Sequence, residues 1–546
     1  MSSREGNNLL PIRTREALLR LLPEFLVHQR WFSGKARSIK GVEIVEAVPM
    51  PTGEVKAFLV LAQVAYTEGP SDTFALPLIL AGSGQEPSPQ AVDSLVPTIH
   101  LEHQGERASA ILCDALWDKE FARALLAAIS GGQSFEGPKG EVVAFPTEAF
   151  HKVWHPGQSA LEPSVMKAEQ SNTSLRFGDR FILKFYRRLE EGINPDLEIG
   201  AFLTDKAAFK HTPFLGGGLE YRRPQAPSMT LGILQAFVPN QGDAWRYTLA
   251  ELRSSFEKVS SLDPGAIESR LVRAFLPEPV GAKVPPEVQD FMGPYWDAAG
   301  LLGQRTAQLH LALASGSDDP DFAPEPFEAL FQRKQYESMR SLTVLALRLL
   351  EKQLPSLPPL VRQEAKTILS REPEILDGFE SFVNQEITAE RIRIHGDYHL
   401  GQVLWTGSDF VIIDFEGEPA RSFAERRMKR CALQDVAGML RSFHYAAYTV
   451  LHERIPRGSS DEKEEGHLEA WARAWHQGAS SRFLREYLHV AGQGGFLPQK
   501  KQELSVLLNA YLLEKAAYEL AYELNNRPDW VRLPLRGILQ ILESRS

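Results

Sequence analysis

Residues 395–416, HGDYHLGQVLWTGSDFVIIDFE, constrain this chain more than any other stretch. An apolar run ends at His395, His-Gly-Asp makes a tight turn, and 402–405 reads as a short strand. Thr406-Gly407-Ser408-Asp409 has turn composition, and 410–415 runs back as an apolar strand interrupted by Asp414. Pairing Trp405 with Phe410 sets Gln402 opposite Ile413. Gln402 and Asp414 then emerge at one end, to within a residue of register, with Asp397 just before it. Two carboxylates and a carboxamide therefore converge where a strand pair opens into loop.

That convergence suits phosphoryl transfer, which needs a base to orient an attacking hydroxyl and oxygen ligands to hold Mg²⁺ against nucleotide phosphates. Mg²⁺ keeps most of its waters, so one Asp and one amide oxygen are enough protein ligands. A lone His-Gly-Asp would read as a solvated turn. The Asp-Phe-Glu at hairpin spacing moves the reading to a site.

These residues resemble the kinase-like phosphotransferases, the group of aminoglycoside and choline kinases. Their catalytic loop reads H-G-D-x-H-x-x-N and is followed by a hydrophobic residue and Asp-x-Glu/Asp. The resemblance implies Asp397 as catalytic base, Asp414 as the main Mg²⁺ ligand and Gln402 in place of the metal-binding Asn, one methylene longer. His395 and Glu416, at the two ends of the stretch, fall on the acceptor side. H-G-D-x-H-x-x-Q followed by D-F-E-G-E-P is also similar to the bacterial maltokinases. The continuation through Pro419-Ala420-Arg421, Ala424-Glu425-Arg426-Arg427 and residues 435–443 (DVAGMLRSF) is similar too. His444 stands where that family has an Asp.

The 546 residues have length for two or three domains with large cores. A formal net charge of −10 argues against a nucleic-acid partner, which usually meets a basic face. The two cysteines, Cys113 and Cys431, are too few and too far apart for a disulfide framework or zinc site, which points to a reducing cytoplasm. No apolar run has signal-peptide or membrane-span character.

Residues 14–31 read as an amphipathic helix (Leu18, Leu19, Leu22, Phe25, Leu26) ending at Arg30-Trp31-Phe32. R-W-F-x-G-K-x-R at 30–37 is similar to the start of the maltokinase cap. Residues 42–100 alternate β-rich runs (55–66, 73–80) with turns, 82–97 is a polar loop, and 108–129 reads as helix. Strand candidates follow at 164–168, 174–177 and 180–186. Between them Glu169-Gln170-Ser171-Asn172-Thr173-Ser174 occupies the place of a phosphate-covering loop. It lacks glycines, but its N–H, hydroxyl and amide donors could contact phosphate.

Lys184 is a cation inside the apolar strand Phe181-Ile182-Leu183-Lys184-Phe185, so it needs an anion or an edge position. The resemblance makes it the lysine of the α- and β-phosphates. Its expected partner is Glu198, on a helix opened by Asn194-Pro195, with Asp196 as the alternative. Residues 229–238 (MTLGILQAFV) read as a strand running into a linker. By resemblance Gln235, Phe237 and Val238 belong to the hinge that pairs with adenine, and 239–243 (PNQGD) separates the lobes. From Trp245 onward 301–313, 327–350 and 361–382 carry i, i+3, i+4 apolar spacing. His310 reads as a structural helix histidine, 461–465 as a solvated acidic loop, and Arg426-Arg427-Met428-Lys429-Arg430 as a solvated basic face.

On the helix at 505–525, Leu513, Ala516, Ala517, Leu520 and Leu524 form a core stripe. Tyr511, Lys515, Tyr518 and Tyr522 fall within an arc of roughly 60° on nearly the opposite side, flanked by Glu514 and Glu519. With the core face already taken, a second face of tyrosines and a lysine fits a carbohydrate, whose C–H patches stack on rings and whose hydroxyls pair with polar groups. Residues 514–535 (EKAAYELAYELNNRPDWVRLPL) are similar to the closing motif of maltokinases, where this helix contributes to the maltose site. Glu514, Lys515, Tyr518 and Tyr522 are the residues so implied.

The expectation is an α+β chain with a bilobal protein-kinase-like fold. It comprises an N-terminal β-rich cap (1–105), a β-rich N-lobe (106–238) and a mainly helical C-lobe with the catalytic loop and sugar site (239–546). The resemblance implies phosphorylation of maltose at the anomeric hydroxyl by ATP with Mg²⁺. It also implies a place in glycogen and trehalose metabolism beside trehalose synthase, in the cytoplasm, with no membrane partner. The alternatives are a kinase of the same fold acting on glucosamine or an aminoglycoside, and a non-catalytic sugar and nucleotide sensor.

Overall fold

The structure, a computed structural model, describes residues 12–50, 56–81, 95–103, 106–154, 161–166, 171–260, 284–454 and 462–543. Most of the expected loop at 82–97, together with Glu169, Gln170 and Asp461, lies outside these residues. The chain divides into two compact units, Met1–Pro239 with Pro419–Arg426, and Asn240–Glu418 with Arg427–Ser546.

The first unit holds two antiparallel sheets. Strands β1 (Ile39–Met50), β2 (Lys56–Tyr66), β3 (Asp72–Ala81), β4 (Leu95–His103) and β5 (Glu106–Asp114) order as β1-β2-β3-β5-β4. The second sheet draws on β6 (Ser134–Glu136), β7 (Glu141–Pro146), β8 (Pro163–Met166), β9 (Asn172–Phe177) and β10 (Phe181–Tyr186). After the short β11 (Arg188–Leu189), which pairs with β3, it adds β12 (Leu215–Arg222) and β13 (Met229–Ala236), in the order β6-β7-β12-β13-β10-β9-β8.

The period-two alternation of β2 explains why the first sheet is covered on both sides. Phe58, Val60, Ala62 and Val64 pack with Leu18, Leu22, Phe25 and Leu26 of the Ile12–His28 helix, while Ala57, Leu59 and Leu61 enter a core shared with the second sheet. The guanidinium of Arg187 is buried between the sheets, paired with Asp114 and donating to Thr173 Oγ1 at 2.9 Å.

The expected helix over 108–129 is corrected. The first sheet continues past residue 105 through β5, because Leu78–Ala81 pair with Ile111–Asp114 in the register Leu78↔Asp114. The Asp114 side chain then accepts from Leu116 N to cap a short 3₁₀ turn, and Asp118 accepts from Phe121 N to start the helix Lys119–Gly131.

The second unit is helical around one hairpin. Leu433–Arg454 is buried almost all round, as a central helix must be. Lys501–Asn526, Glu462–Ala491 and Ala244–Ser260 pack on it. The apolar spacing over 361–382 resolves into two helices, Pro359–Ser370 and Glu372–Asn384, because Pro373 fits only a first turn. Residues 462–465 open the Glu462–Ala491 helix rather than forming a loop. Among the described residues no helix is long and apolar enough to cross a membrane.

Candidate active site

The central hairpin forms in the expected register, with Val403 opposite Ile412, Leu404 opposite Val411 and Trp405 opposite Phe410. Thr406 and Asp409 close its turn, with Asp409 N donating to Thr406 Oγ1 at 3.0 Å, and Arg305 holds the Asp409 carboxylate at 2.8 and 2.9 Å. Tyr247 stacks on Trp405 with centroids 4.4 Å apart. At the open end Ile413 N donates to Gln402 O (3.0 Å), and Gln402 Nε2 donates to Asp414 Oδ2 at 2.7 Å. Gln402 Oε1 has no hydrogen-bond partner among the described residues. Asp414 adopts φ 69°, a left-handed conformation tolerated by Asp that turns the chain sharply after the strand.

The turn before the hairpin is fixed from below. His395 N and Gly396 N donate to the two oxygens of Asp435, at 2.8 and 2.9 Å. Gly396 has φ 84°, so a side chain there would be strained. Asp435 is buried and also meets His310 Nε2 at 3.0 Å, while His310 Nδ1 meets Tyr487 OH at 2.9 Å. Burial alone would raise the Asp435 carboxyl. The hydrogen bond and charge of His310, with His395 and the Gly396 N–H, outweigh that and hold it below the ordinary carboxylate range. The helix carrying Asp435 reaches the loop closely at Gly438, where a Cβ would meet Tyr398 O at 2.5 Å.

His395 is buried, its Nε2 donating to Ile413 O at 2.9 Å and its Nδ1 facing Asp397 N at 3.4 Å. It supports the loop and is not among the residues that line the neighbouring cleft. Glu416 is half-buried in the turn after Asp414 and does not line the cleft either.

Asp397 faces a cation-capable group with each oxygen. Lys515 Nζ lies 3.7 Å from Oδ1 and His399 Nε2 lies 4.0 Å from Oδ2. His399 Nδ1 accepts from Gly401 N at 3.0 Å, which puts the ring proton on Nε2, toward Asp397.

Lys515 and His399 border a cleft of about 420 Å³, in the range of small-ligand pockets (roughly 300–1,000 Å³). Trp245, Tyr445, Tyr518, Tyr522 and Trp530 give it aromatic walls, and Asp243, Glu519, Glu523 and Arg527 add charge. Tyr518 and Tyr522 thus line it as expected. Two residues of the expected face do not. Tyr511 is buried edge-on against Phe382 at 6.1 Å, and Glu514 is buried outside the lining. The helix is covered on more than its aliphatic stripe, which a two-face projection does not anticipate.

Glu519, Glu523 and Arg527 had a signal in the sequence, since with Lys515 they repeat at i+4 along one face. Asp435 also left one, as a carboxylate at the head of the apolar run 436–440 that must find partners. His444 is buried against Tyr448 and His476, away from the cleft.

In the first unit, Lys184 Nζ lies 3.0 Å from Oδ2 of Asp196, the alternative partner, two residues before Glu198. Asn194 caps that helix by accepting from Asp196 N at 2.9 Å, which turns Asp196 inward, and Tyr186 OH donates to the same oxygen at 3.0 Å. Of the expected phosphate-covering segment, Asn172, Thr173 and Ser174 pair as strand with Tyr186, Phe185 and Lys184, Thr173 serves Arg187, and Ser171 is exposed ahead of the strand. Gln235 lies in β13 opposite Ile182. Phe237 N already donates to Arg180 O at 2.8 Å, ahead of Val238.

Residues 25–118 match the maltokinase N-terminal cap domain. The chain carries a maltokinase-type cap. The cap match ends at Asp118, the residue that caps the next helix, and so takes in β1 to β5 of the first sheet. A glucosamine kinase of Streptacidiphilus jiangxiensis is 22% identical over 69% of the chain and 73% of its own length. One of Mycolicibacterium smegmatis is 24% identical over 71% and 81%. The structure of a glucosamine kinase in complex with glucosamine, ADP and inorganic phosphate superposes with a TM-score of 0.59 at 18% identity, covering 96% of this chain and 98% of that one. A second crystal form gives 0.61 at 18% identity, over 97% and 99%. The chain therefore has a kinase-like fold, with a β-rich first unit and a helical second.

Proposed function

We propose that the chain is an ATP-dependent sugar kinase that phosphorylates maltose at the anomeric hydroxyl, giving maltose 1-phosphate. The observation that carries this reading is Asp397 beside an aromatic-walled cleft, with the Gln402–Asp414 pair at the mouth of the adjoining hairpin. Asp397 orients the anomeric hydroxyl and accepts its proton. Lys515 and His399, which line the cleft, each face one oxygen of that carboxylate. Tyr518 and Tyr522 stack on the sugar faces.

Asp414 and Gln402 fit a Mg²⁺ ion. The amide N–H is spent on the carboxylate, which leaves Gln402 Oε1 as an oxygen donor beside it. When bound, the ion neutralises charge on the transferring phosphoryl group. Lys184, steadied by Asp196, serves the nucleotide phosphates, with Ser171 ahead of the same strands and Gln235 to Val238 on the adenine side. The family resemblance sends the product into α-glucan synthesis in the cytoplasm, with maltose supplied by trehalose synthase.

The second reading is glucosamine phosphorylation, favoured by the names of the relatives. Incubating the protein with ATP, Mg²⁺ and each of maltose, glucose, glucosamine and an aminoglycoside, then identifying products by ³¹P and ¹³C NMR, decides between them. Maltose carrying a C1 phosphate is the expected product. Turnover of glucosamine with maltose untouched would replace the first reading by the second.

A further inference from the structure

In the acceptor cleft, Glu519 is held differently from its neighbours. Arg441, from the Leu433–Arg454 helix, places Nε and Nη2 on the same oxygen, Oε2, at 2.9 and 2.6 Å. Oε1 has no hydrogen-bond partner among the described residues, and Glu519 lines the cleft. Arg441 has little freedom to release its partner. Its side chain is buried, it packs so closely on Gly537 that a Cβ there would lie 2.1 Å from Nη1, and its guanidinium lies 5.8 Å from the Tyr445 ring. Glu519 is thus pre-oriented and electrically neutralised from behind.

Position adds to this. Lys515, one helical turn before Glu519, is the residue beside Asp397, so Glu519 stands about 6 Å further along the cleft at ~1.5 Å per residue. A sugar whose reacting hydroxyl meets Asp397 would bring the hydroxyls of its far edge to that depth. A carboxylate with one oxygen spent on arginine and one open accepts hydroxyl protons well. It has little net charge left with which to attract an ammonium.

We propose that Glu519, set by Arg441, is the specificity-determining residue that reads ring hydroxyls of a neutral sugar and gives no advantage to an amino sugar. This rests on the acceptor cleft assigned above and deepens it to a substrate class.

The test uses the full chain with ATP and Mg²⁺, and compares wild type with Glu519→Gln and Arg441→Met on maltose, glucose and glucosamine. Glu519→Gln should raise the KM of the neutral acceptor by about ten-fold or more, while the KM for ATP stays within about two-fold. Arg441→Met, which leaves the Glu519 charge uncompensated, should shift the ratio of kcat/KM for glucosamine over neutral sugar upward by about ten-fold. Saturation-transfer NMR of each sugar with wild type and Glu519→Gln, without nucleotide, reads the same contact independently of turnover. If no sugar is phosphorylated, the functional reading fails; a neutral sugar that still binds wild type and is lost in Glu519→Gln upholds this inference. An unchanged acceptor KM and unchanged sugar binding in Glu519→Gln overturn it. Should Arg441→Met fail to fold, the Glu519→Gln measurements decide alone.

Discussion

Asp397 is set by two close neighbours in sequence, His395 and His399, and by one distant residue, Lys515. Its two oxygens face Lys515 and His399, and its backbone N–H faces His395 Nδ1. A carboxylate held this way needs little reorganisation to take a hydroxyl proton. Asp397→Asn keeps the size and the fold but cannot accept the proton. We expect turnover to fall by about a thousand-fold or more, with the thermal midpoint shifted by only a few degrees. Near-wild-type turnover in a product-release assay would remove Asp397 from the mechanism. Asp414→Asn should raise the Mg²⁺ concentration needed for half-maximal rate by about ten-fold or more, since the carboxylate of the proposed pair is lost. A Mg²⁺ titration that superposes on wild type would count against the metal role.

Among elements, the loop before the hairpin depends on the Leu433–Arg454 helix beneath it. Asp435, itself buried, serves the backbone N–H groups of His395 and Gly396 and the buried His310 at once. Asp435→Ala leaves these groups unpaired, and we expect about 3 kcal/mol lost in urea unfolding, with kcat falling more than the acceptor KM rises. A loss of stability with kcat intact would show that the network only supports the fold. In the first unit the joint between the two sheets rests on the Arg187–Asp114 pair. Breaking a buried pair strands a charge, so Asp114→Ala should cost about 3–5 kcal/mol. A change below about 1 kcal/mol in the same unfolding experiment would contradict that account.

Over the whole molecule, acid sensitivity follows from buried histidine. His444 is held well below the ordinary histidine range, first by burial, then by Arg441, His476 and Arg536, with Gln540 opposing. The unfolded chain therefore takes up a proton that the native state refuses. Stability from this residue is complete above about pH 6.5 and is lost as pH falls below it. Denaturant midpoints measured from pH 8 to pH 5 should drop less steeply in His444→Phe than in wild type. Equal slopes would assign the acid sensitivity elsewhere.

The sequence by itself determined what is local. The hairpin register from Trp405–Phe410, the period-two strands and the convergence of Gln402 with Asp414 follow from turn chemistry and alternation over a few residues. Asparagine capping and the helix at Lys501–Asn526 were legible on the same grounds. Only the tertiary structure decided which chain-distant groups meet. Asp196 meets Lys184, Asp435 lies under the His395–Asp397 turn, Tyr511 is buried while Tyr518 is half-buried, and 106–114 is a sheet strand rather than part of a helix. The physical reason is the same in each case. Burial and partner choice depend on what packs against a face, and a single element's periodicity carries no record of that.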